Sequence, residues 1–393
     1  MGSVLLATVG SLGDLHPLLA IGTALSRLGI PVTIAANPAH REIAQSHQLK
    51  FIPIGNVQDP TLFPFASAAS ARHDGMLNYM EHCIFRQLDA LFEDLHAATE
   101  QAQVVVAPYF LVPASLVAEK RGIPFVGCAL SPAYLVSQTS TRRKIPTHWH
   151  FAVAAIRRRH GLHRKKVPHT ATLSSAQTIL GLFPRFLMPP APGVTPGIRR
   201  VGYPNLPPMP GFVPDPSLQS FCDERTVVFS FGSYVDRSNA RHFYLESVAA
   251  CRALGLKCVY LSRYVEASAT REEPRDDVLL RSFLPHDAVF PLAGLIVHHG
   301  GVGTLMAACR SAKPMVIAPF SYDQPYHAER MSELAGCPTI PAGLYDRGAL
   351  VPAIERLVGC RDSMRQLLVA LMAQEEDGAS HAAHEILSRM KAG

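Results

Sequence analysis

Apolar positions along the chain fall into short solid runs, each followed by a glycine-bearing turn and then by a stretch of helical spacing. Positions 4–9 (VLLATV) form a β-branched run of strand length. Gly10-Ser11-Leu12-Gly13-Asp14 reads as a turn, and 16–28 as an amphipathic helix with Pro17 near its first turn. Gly29 leads into a second strand at 31–36. Strand, glycine loop, helix and strand in this order predict a βαβ unit on a parallel sheet. Further strands are predicted at 51–54, 104–107 and 125–129, with helices over 76–99 and 115–121.

A proline-rich passage at 202–211 resists both helix and central strand and reads as a semi-rigid linker. The pattern then restarts. Strand 226–231, the turn Gly232-Ser233, helix 239–254 and strands 257–261 and 278–283 repeat the first plan. Strand 293–297 runs into His298, His299 and a glycine cluster; a helix is predicted from Gly303 or Thr304 and a strand at 314–319. The region 350–390 holds two or three helical segments. The expected fold class is α/β, with two doubly wound, Rossmann-like domains. Their bounds are 1–201 for the first, 202–216 for the linker and 217–370 for the second, with 371–393 as a helical tail that is a candidate for packing back on the first domain.

Composition narrows this picture. At 393 residues the chain exceeds one ordinary core, and 48% hydrophobic with 17% charged residues marks a globular protein rather than a disordered one. Eight cysteines without a C-x-x-C or metal-ligand spacing fit buried thiols in a reducing compartment. There is no basic segment followed by a cleavable apolar run, and no apolar run of membrane-spanning length, so a cytoplasmic location is expected. The net charge of +6 is local. Arg142, Arg143, Lys144, Arg157, Arg158, Arg159, Arg164, Lys165 and Lys166 carry no acid among them and exceed the whole surplus. Beside the apolar stretch 151–156 this segment is a candidate for peripheral contact with anionic lipid at the inner membrane surface; the plainer alternative is a solvated loop and helix. Without interleaved aromatics or a recognition motif, nucleic acid is not an expected partner.

Candidate chemistry concentrates between His298 and Gln324, at the carboxyl ends of two predicted strands, where open α/β sheets bind ligands. Glycines at a helix start bring backbone N–H groups to a phosphate, and a histidine adds a donor. The acid–amide pair Asp323–Gln324 suits vicinal hydroxyls. Phosphate at one end and polyol at the other describe a sugar nucleotide. His298 is read as a packed strand-end histidine and His299 as the donor.

These motifs carry a family resemblance. Gly10-Ser11-Leu12-Gly13-Asp14-Leu15-His16-Pro17, Val201-Gly202-Tyr203-Pro204, Phe229-Ser230-Phe231-Gly232-Ser233, Phe283-Leu284-Pro285-His286, the His-His-Gly-Gly-Val-Gly-Thr block from 298 and Pro319-Phe320-Ser321-Tyr322-Asp323-Gln324 occur in that order. The chain thereby resembles nucleotide-sugar-dependent glycosyltransferases of family 1 with the GT-B fold, in which two Rossmann-like domains face each other across a cleft. It is most similar to bacterial rhamnolipid-type rhamnosyltransferases, sterol glucosyltransferases and antibiotic glycosyltransferases. The resemblance implies that His299 holds the donor's diphosphate, with Gly301, Gly303, Thr304, Ser233, Ser11 and Gly13 as further contacts. It implies that Asp323 and Gln324 take the sugar hydroxyls, that Phe283 stacks on the base and Leu284 meets its edge, and that His286 lies near the ribose. UDP- and dTDP-linked hexoses both fit.

Many relatives place a histidine in the first glycine loop, partnered by a distant aspartate. Here the matching position is Asp14, and 107–110 holds no acid. Asp14 is therefore the candidate base for an inverting displacement, with His16 as the competitor. Met76, Met80, Tyr109 and Phe110, with Phe63, Phe65, Tyr79, Phe85 and Tyr134, are candidates for a lipophilic acceptor pocket; the alternative is core. No metal and no cofactor beyond the nucleotide-sugar co-substrate is expected. The rival readings are a sugar-nucleotide epimerase of the same fold, a catalytically silent partner of another transferase, and a membrane-surface binding protein.

Overall fold

Runs of Val, Ile, Leu and Ala buried on both faces make parallel strands, and the chain builds two sheets from them. The computed structural model describes residues 2–55, 75–133, 135, 146–162, 178–188, 197–207, 216–232, 236–262, 265 and 276–390. In chain order the strands are β1 (Ser3–Ala7), β2 (Val32–Ala36), β3 (Lys50–Pro53), β4 (Ala102–Pro108), β5 (Phe125–Ala129), β6 (Thr178–Gly181) and β7 (Ile198–Arg200), then β8 (Thr226–Ser230), β9 (Lys257–Leu261), β10 (Val278–Arg281), β11 (Leu295–His298) and β12 (Met315–Ile317). The α-helices are α1 (Leu12–Arg27), α2 (Arg41–Ser46), α3 (Gly75–Cys83), α4 (Leu88–Ala98), α5 (Val112–Arg121) and α6 (Thr147–Arg159), followed by α7 (Pro216–Phe221), α8 (Asp236–Ala253), α9 (His286–Val289), α10 (Val302–Ser311), α11 (Gln324–Ala335), α12 (Arg347–Gly359), α13 (Arg361–Met372) and α14 (Gly378–Met390).

One sheet runs β3-β2-β1-β4-β5-β6-β7 and the other β10-β9-β8-β11-β12, with every pair parallel. Strand order turns back between β1 and β4 in the first and between β8 and β11 in the second, the position at which such sheets hold ligands. The described residues 2–55 and 76–207, together with 375–390, form one unit, and those from 216 to 374, with Gly75, form the other.

Several element bounds differ from the sequence reading for local reasons. Helix α1 begins at Leu12 rather than at 16, because Ser11 caps it and Asp14 closes the cap. Leu12, Gly13 and Asp14 are thus the first turn of a helix, not a loop. The single helical pattern over 76–99 is two helices separated by a 3-10 turn at Phe85–Gln87. Helix α14 lays Ala382, Ala383 and Ile386 into the core built by β1, β4 and α1. It enters that core at a backbone crossing: a Cβ on Gly378 would lie 2.6 Å from the carbonyl of Gly202, which itself has φ +89°.

In the basic segment, Arg142, Arg143, Lys144, Arg164, Lys165 and Lys166 lie outside the described residues. Arg157 makes a two-pronged pair with Glu119, both bonds 2.7 Å, and Arg159 pairs with Asp89. Those two arginines hold α6 onto α5 and α4, while Arg158 is exposed. Trp149 of α6 stacks on Phe85 at 4.2 Å, and its indole N–H donates to Glu81 at 2.5 Å. No helix among the described residues is long and apolar enough to cross a membrane.

Candidate active site

In the first unit the candidate residues lie where β1 delivers the chain through Thr8, Val9, Gly10 and Ser11 into α1. The Ser11 hydroxyl accepts from Gly13 N–H at 3.2 Å. Asp14 Oδ2 accepts from the Ser11 N–H at 2.8 Å and from its hydroxyl at 3.1 Å. This reciprocal capping box fixes the carboxylate at the helix N-terminus, where the dipole favours negative charge. Gly10 must lack a side chain, because a Cβ there would run into the Asp14 carboxylate. His40, buried in the turn after β2, donates from Nε2–H to the Gly10 carbonyl at 2.9 Å.

His16 lies two residues further along α1. Its Nε2 is buried without a partner among the described residues. Burial, and secondarily His47 and His40, pushes its pKa down to about 4, so the imidazole is neutral at physiological pH. Cys83 at the end of α3 is a buried thiol, pushed up to about 12 by burial and by the nearby Asp14.

In the second unit β8 ends at Ser230, in register with His298 at the end of β11. His298 is fully buried: its Nδ1 accepts from Gly300 N–H at 3.1 Å and its Nε2 faces Met315 Sδ at 3.3 Å. Burial, then the neighbouring histidines, holds its pKa well below the usual value, so it is a neutral packing residue. His299 turns out of the sheet end. Its main-chain N–H donates to the Ser230 carbonyl at 3.3 Å, and its ring Nδ1–H to the same oxygen at 3.4 Å. Gly232, with φ +75°, and Gly301 make room for the ring: a Cβ at Gly232 would sit 3.0 Å from Nε2, and one at Gly301 would overlap it.

Helix α10 then starts from Gly301, and the main-chain N–H groups of Gly303 and Thr304 lie in its first turn, which has no intrahelical acceptors. Gly300, at φ +86°, is held through its carbonyl, which accepts from His327 Nδ1–H of α11 at 2.8 Å. After β12 the chain passes Tyr322, at φ +59°, to Asp323 and α11. Gln324 is buried, and its Oε1 accepts from the N–H groups of Phe320 at 2.9 Å and Ser321 at 3.2 Å, which leaves its NH2 as a donor. Asp323 sits at the helix N-cap with no capping bond from its side chain; its Oδ2 lies 3.8 Å from His327 Nε2.

His286, expected near a ribose, pairs through Nε2 with the Ser230 hydroxyl at 2.9 Å and stacks on Phe290. Phe283 is 60% exposed, an uncovered aromatic face beside the half-buried Leu284. Ser233, Phe63, Phe65 and Tyr134 lie outside the described residues. Among the acceptor-pocket candidates, Met76 is half-buried, but Met80, Tyr109 and Phe110 are buried, with Tyr79 edge-on to Phe110 at 5.9 Å. In this structure those three are packing contacts rather than an open wall. His40, Ser230 and His327 are structural partners of the site that the sequence reading missed. Each acts through a main-chain carbonyl contact between residues distant in sequence, which no local pattern announces.

Residues 4–143 match the model of the glycosyltransferase family 28 N-terminal domain. The chain is 27% identical to "Glycosyltransferase GtfE" of Amycolatopsis orientalis over 368 residues, 84% of each chain. It is also 27% identical over 371 residues to a sterol 3-beta-glucosyltransferase of Saccharomyces cerevisiae, spanning 84% of this chain and 30% of that longer one. Among solved structures, the glycosyltransferase VinC in complex with dTDP superposes with a TM-score of 0.75 at 20% identity over the whole of both chains. The glycotransferase of kitacinnamycin gives 0.76 at 22% identity over 99% of each. The fold is GT-B, and the chain is a glycosyltransferase.

Proposed function

We propose that this chain moves a hexose from a UDP- or dTDP-sugar to a hydroxyl of a lipophilic small molecule, with inversion at the anomeric carbon. The observation that carries the reading is the pairing, at neighbouring strand ends of the second unit, of the His299–Gly301 helix start with Asp323 and Gln324. A helix N-terminus and an imidazole suit a diphosphate, and a carboxylate with an adjacent amide donor suits sugar hydroxyls. Phe283 offers a face for the base. The match to VinC bound to dTDP supports a dTDP- or UDP-linked donor, and the sterol and antibiotic transferases among the relatives support a hydrophobic acceptor.

In the proposed reaction the acceptor oxygen attacks the anomeric carbon while the bond from that carbon to the diphosphate oxygen breaks. The electron pair leaves with the nucleoside diphosphate, and the acceptor's hydroxyl proton passes to Asp14. His299 and the first turn of α10 stabilise the charge that develops on the leaving group. Asp14 is favoured over His16 because the imidazole Nε2 of His16 is buried. The experiment is a donor screen with purified protein: UDP-glucose, dTDP-glucose and dTDP-rhamnose, each with sterol and macrolide aglycones. Acceptor-dependent release of UDP or dTDP, with an inverted anomeric configuration in the product by NMR, is expected. A product that retains the donor's configuration overturns the mechanism.

A further inference from the structure

Ser230 stands at the end of β8 in the second unit's candidate site, inside the Phe229–Ser233 motif but with no role assigned to it by the sequence. Its carbonyl receives two bonds from His299, the main-chain N–H at 3.3 Å and the ring Nδ1–H at 3.4 Å, and its hydroxyl is tied to His286 at 2.9 Å. The oxygen is held by β8, buried and paired on both sides by β9 and β11. A carbonyl can only accept, so the nitrogen facing it must carry a proton. In a neutral imidazole the other nitrogen, Nε2, is then a bare lone pair. That lone pair points into the space that Gly232 and Gly301 keep open beside the start of α10. A lone pair repels a phosphate oxygen, whereas an N–H donates to one.

We propose that Ser230 is a positioning residue whose carbonyl fixes the His299 tautomer, so that His299 contacts the donor's diphosphate only as an imidazolium and nucleotide-sugar binding takes up one proton from solvent. This rests on the reading of His299 as the diphosphate contact. The proton adds to the Nε2 lone pair, and the resulting N–H donates to a non-bridging phosphate oxygen; nothing is oxidised and no covalent bond to the sugar changes.

The groups facing the ring set the balance in the free protein. Burial holds the His299 pKa down to about 4, the Ser230 carbonyl and Asp323 at the N-cap of α11 pull it up, and His327 on α11 pulls it down. His298 on β11 lies next to it and is itself neutral, and His286 on α9 bonds the hydroxyl of the same Ser230. A diphosphate adds negative charge beside Nε2 and raises the pKa in the complex. Because the complex binds a proton that the free protein lacks, affinity weakens as pH rises between the two pKa values, by about tenfold per pH unit. Below the free value the dependence vanishes.

The test is titration calorimetry with UDP-glucose and dTDP-glucose, whose diphosphate diesters do not titrate in this range. Binding is measured at about pH 7 in two buffers of different ionisation enthalpy, so that the buffer-dependent heat counts protons. Uptake of about one proton by the wild type, and of about none by His299→Gln, whose amide donates without protonation, is expected. Binding by the wild type without proton uptake overturns the proposal alone, as does full uptake by the variant. If neither nucleotide sugar binds at any pH, the donor-site reading fails with it. Independently of any variant's folding, histidine 15N spectra of the wild type should show His299 as the Nδ1–H neutral tautomer when free and as imidazolium when bound. An Nε2–H neutral tautomer in the free protein contradicts the assignment.

Discussion

Gly301 lies so close under the His299 ring that any side chain there must push the imidazole aside. Its φ of −60° suits alanine, so Gly301→Ala should leave the unfolding temperature almost unchanged. Loss of one charge-assisted hydrogen bond costs about 1.5–3 kcal/mol, so UDP affinity in that variant should fall on the order of tenfold to a hundredfold by calorimetry. Unchanged affinity would show that the ring does not need its present place. His40 and His327 do the same work in different sheets: each donates to the carbonyl of a glycine in a strand-to-helix turn, Gly10 and Gly300. His327→Ala leaves the Gly300 carbonyl buried without its donor, a loss of about 1–3 kcal/mol, and should loosen the turn below His299. Weakened nucleotide binding together with a lower unfolding midpoint is expected. A change in neither would make the bond incidental.

At the scale of elements, the crossing of α14 over the first sheet depends on two glycines meeting backbone to backbone. Gly378→Val should destabilise the unit that contains α14 by several kcal/mol, since its Cβ would press on the main chain of Gly202 rather than on a flexible side chain. Calorimetry showing wild-type unfolding would remove the crossing from the list of fold determinants. The strands that carry the sites were legible because buried parallel strands are written as unbroken apolar runs: β5 and β9 fall where their patterns put them. β6 and β7 were not; β7 is three residues long and two of them are arginines, so pairing with β6 rather than its own composition makes it a strand. The start of α1 is hidden in the sequence because glycine and aspartate are also turn formers. The reciprocal bonds of Ser11 and Asp14 turn the same residues into a helix cap. His299, Asp323 and Gln324 stand out as candidates in the sequence because each follows a recognisable strand; Ser230 has no assigned role there, because its contribution is a carbonyl that every residue possesses.

For the molecule as a whole, acid should be destabilising to both units. His16 in the first and His299 in the second both have pKa values lowered from 6.5 to about 4 when folded. The unfolded chain takes up these protons below about pH 6.5 while the folded chain does not. Their contribution is therefore complete above pH 6.5, is lost progressively as pH falls towards 4, and changes little below that. Each histidine accounts for about 3 kcal/mol over the window, and scanning calorimetry at pH 7 and pH 4.5 should show each unit melting at lower temperature in acid. An unfolding profile independent of pH in this range would mean that the rings are solvated.

The proposed reaction gives donor binding to residues of the second unit and proton removal to Asp14 of the first, so one substitution tests the two roles separately. Asp14→Asn keeps an oxygen that can accept from Ser11 N–H and so preserves the cap of α1, but it cannot take a proton from an attacking hydroxyl. With a donor and acceptor pair identified by the screen, transfer by the variant should fall by at least about a hundredfold, while the dissociation constant for the nucleotide sugar stays within about twofold of wild type. Wild-type turnover by Asp14→Asn would contradict the assignment of Asp14 as the base.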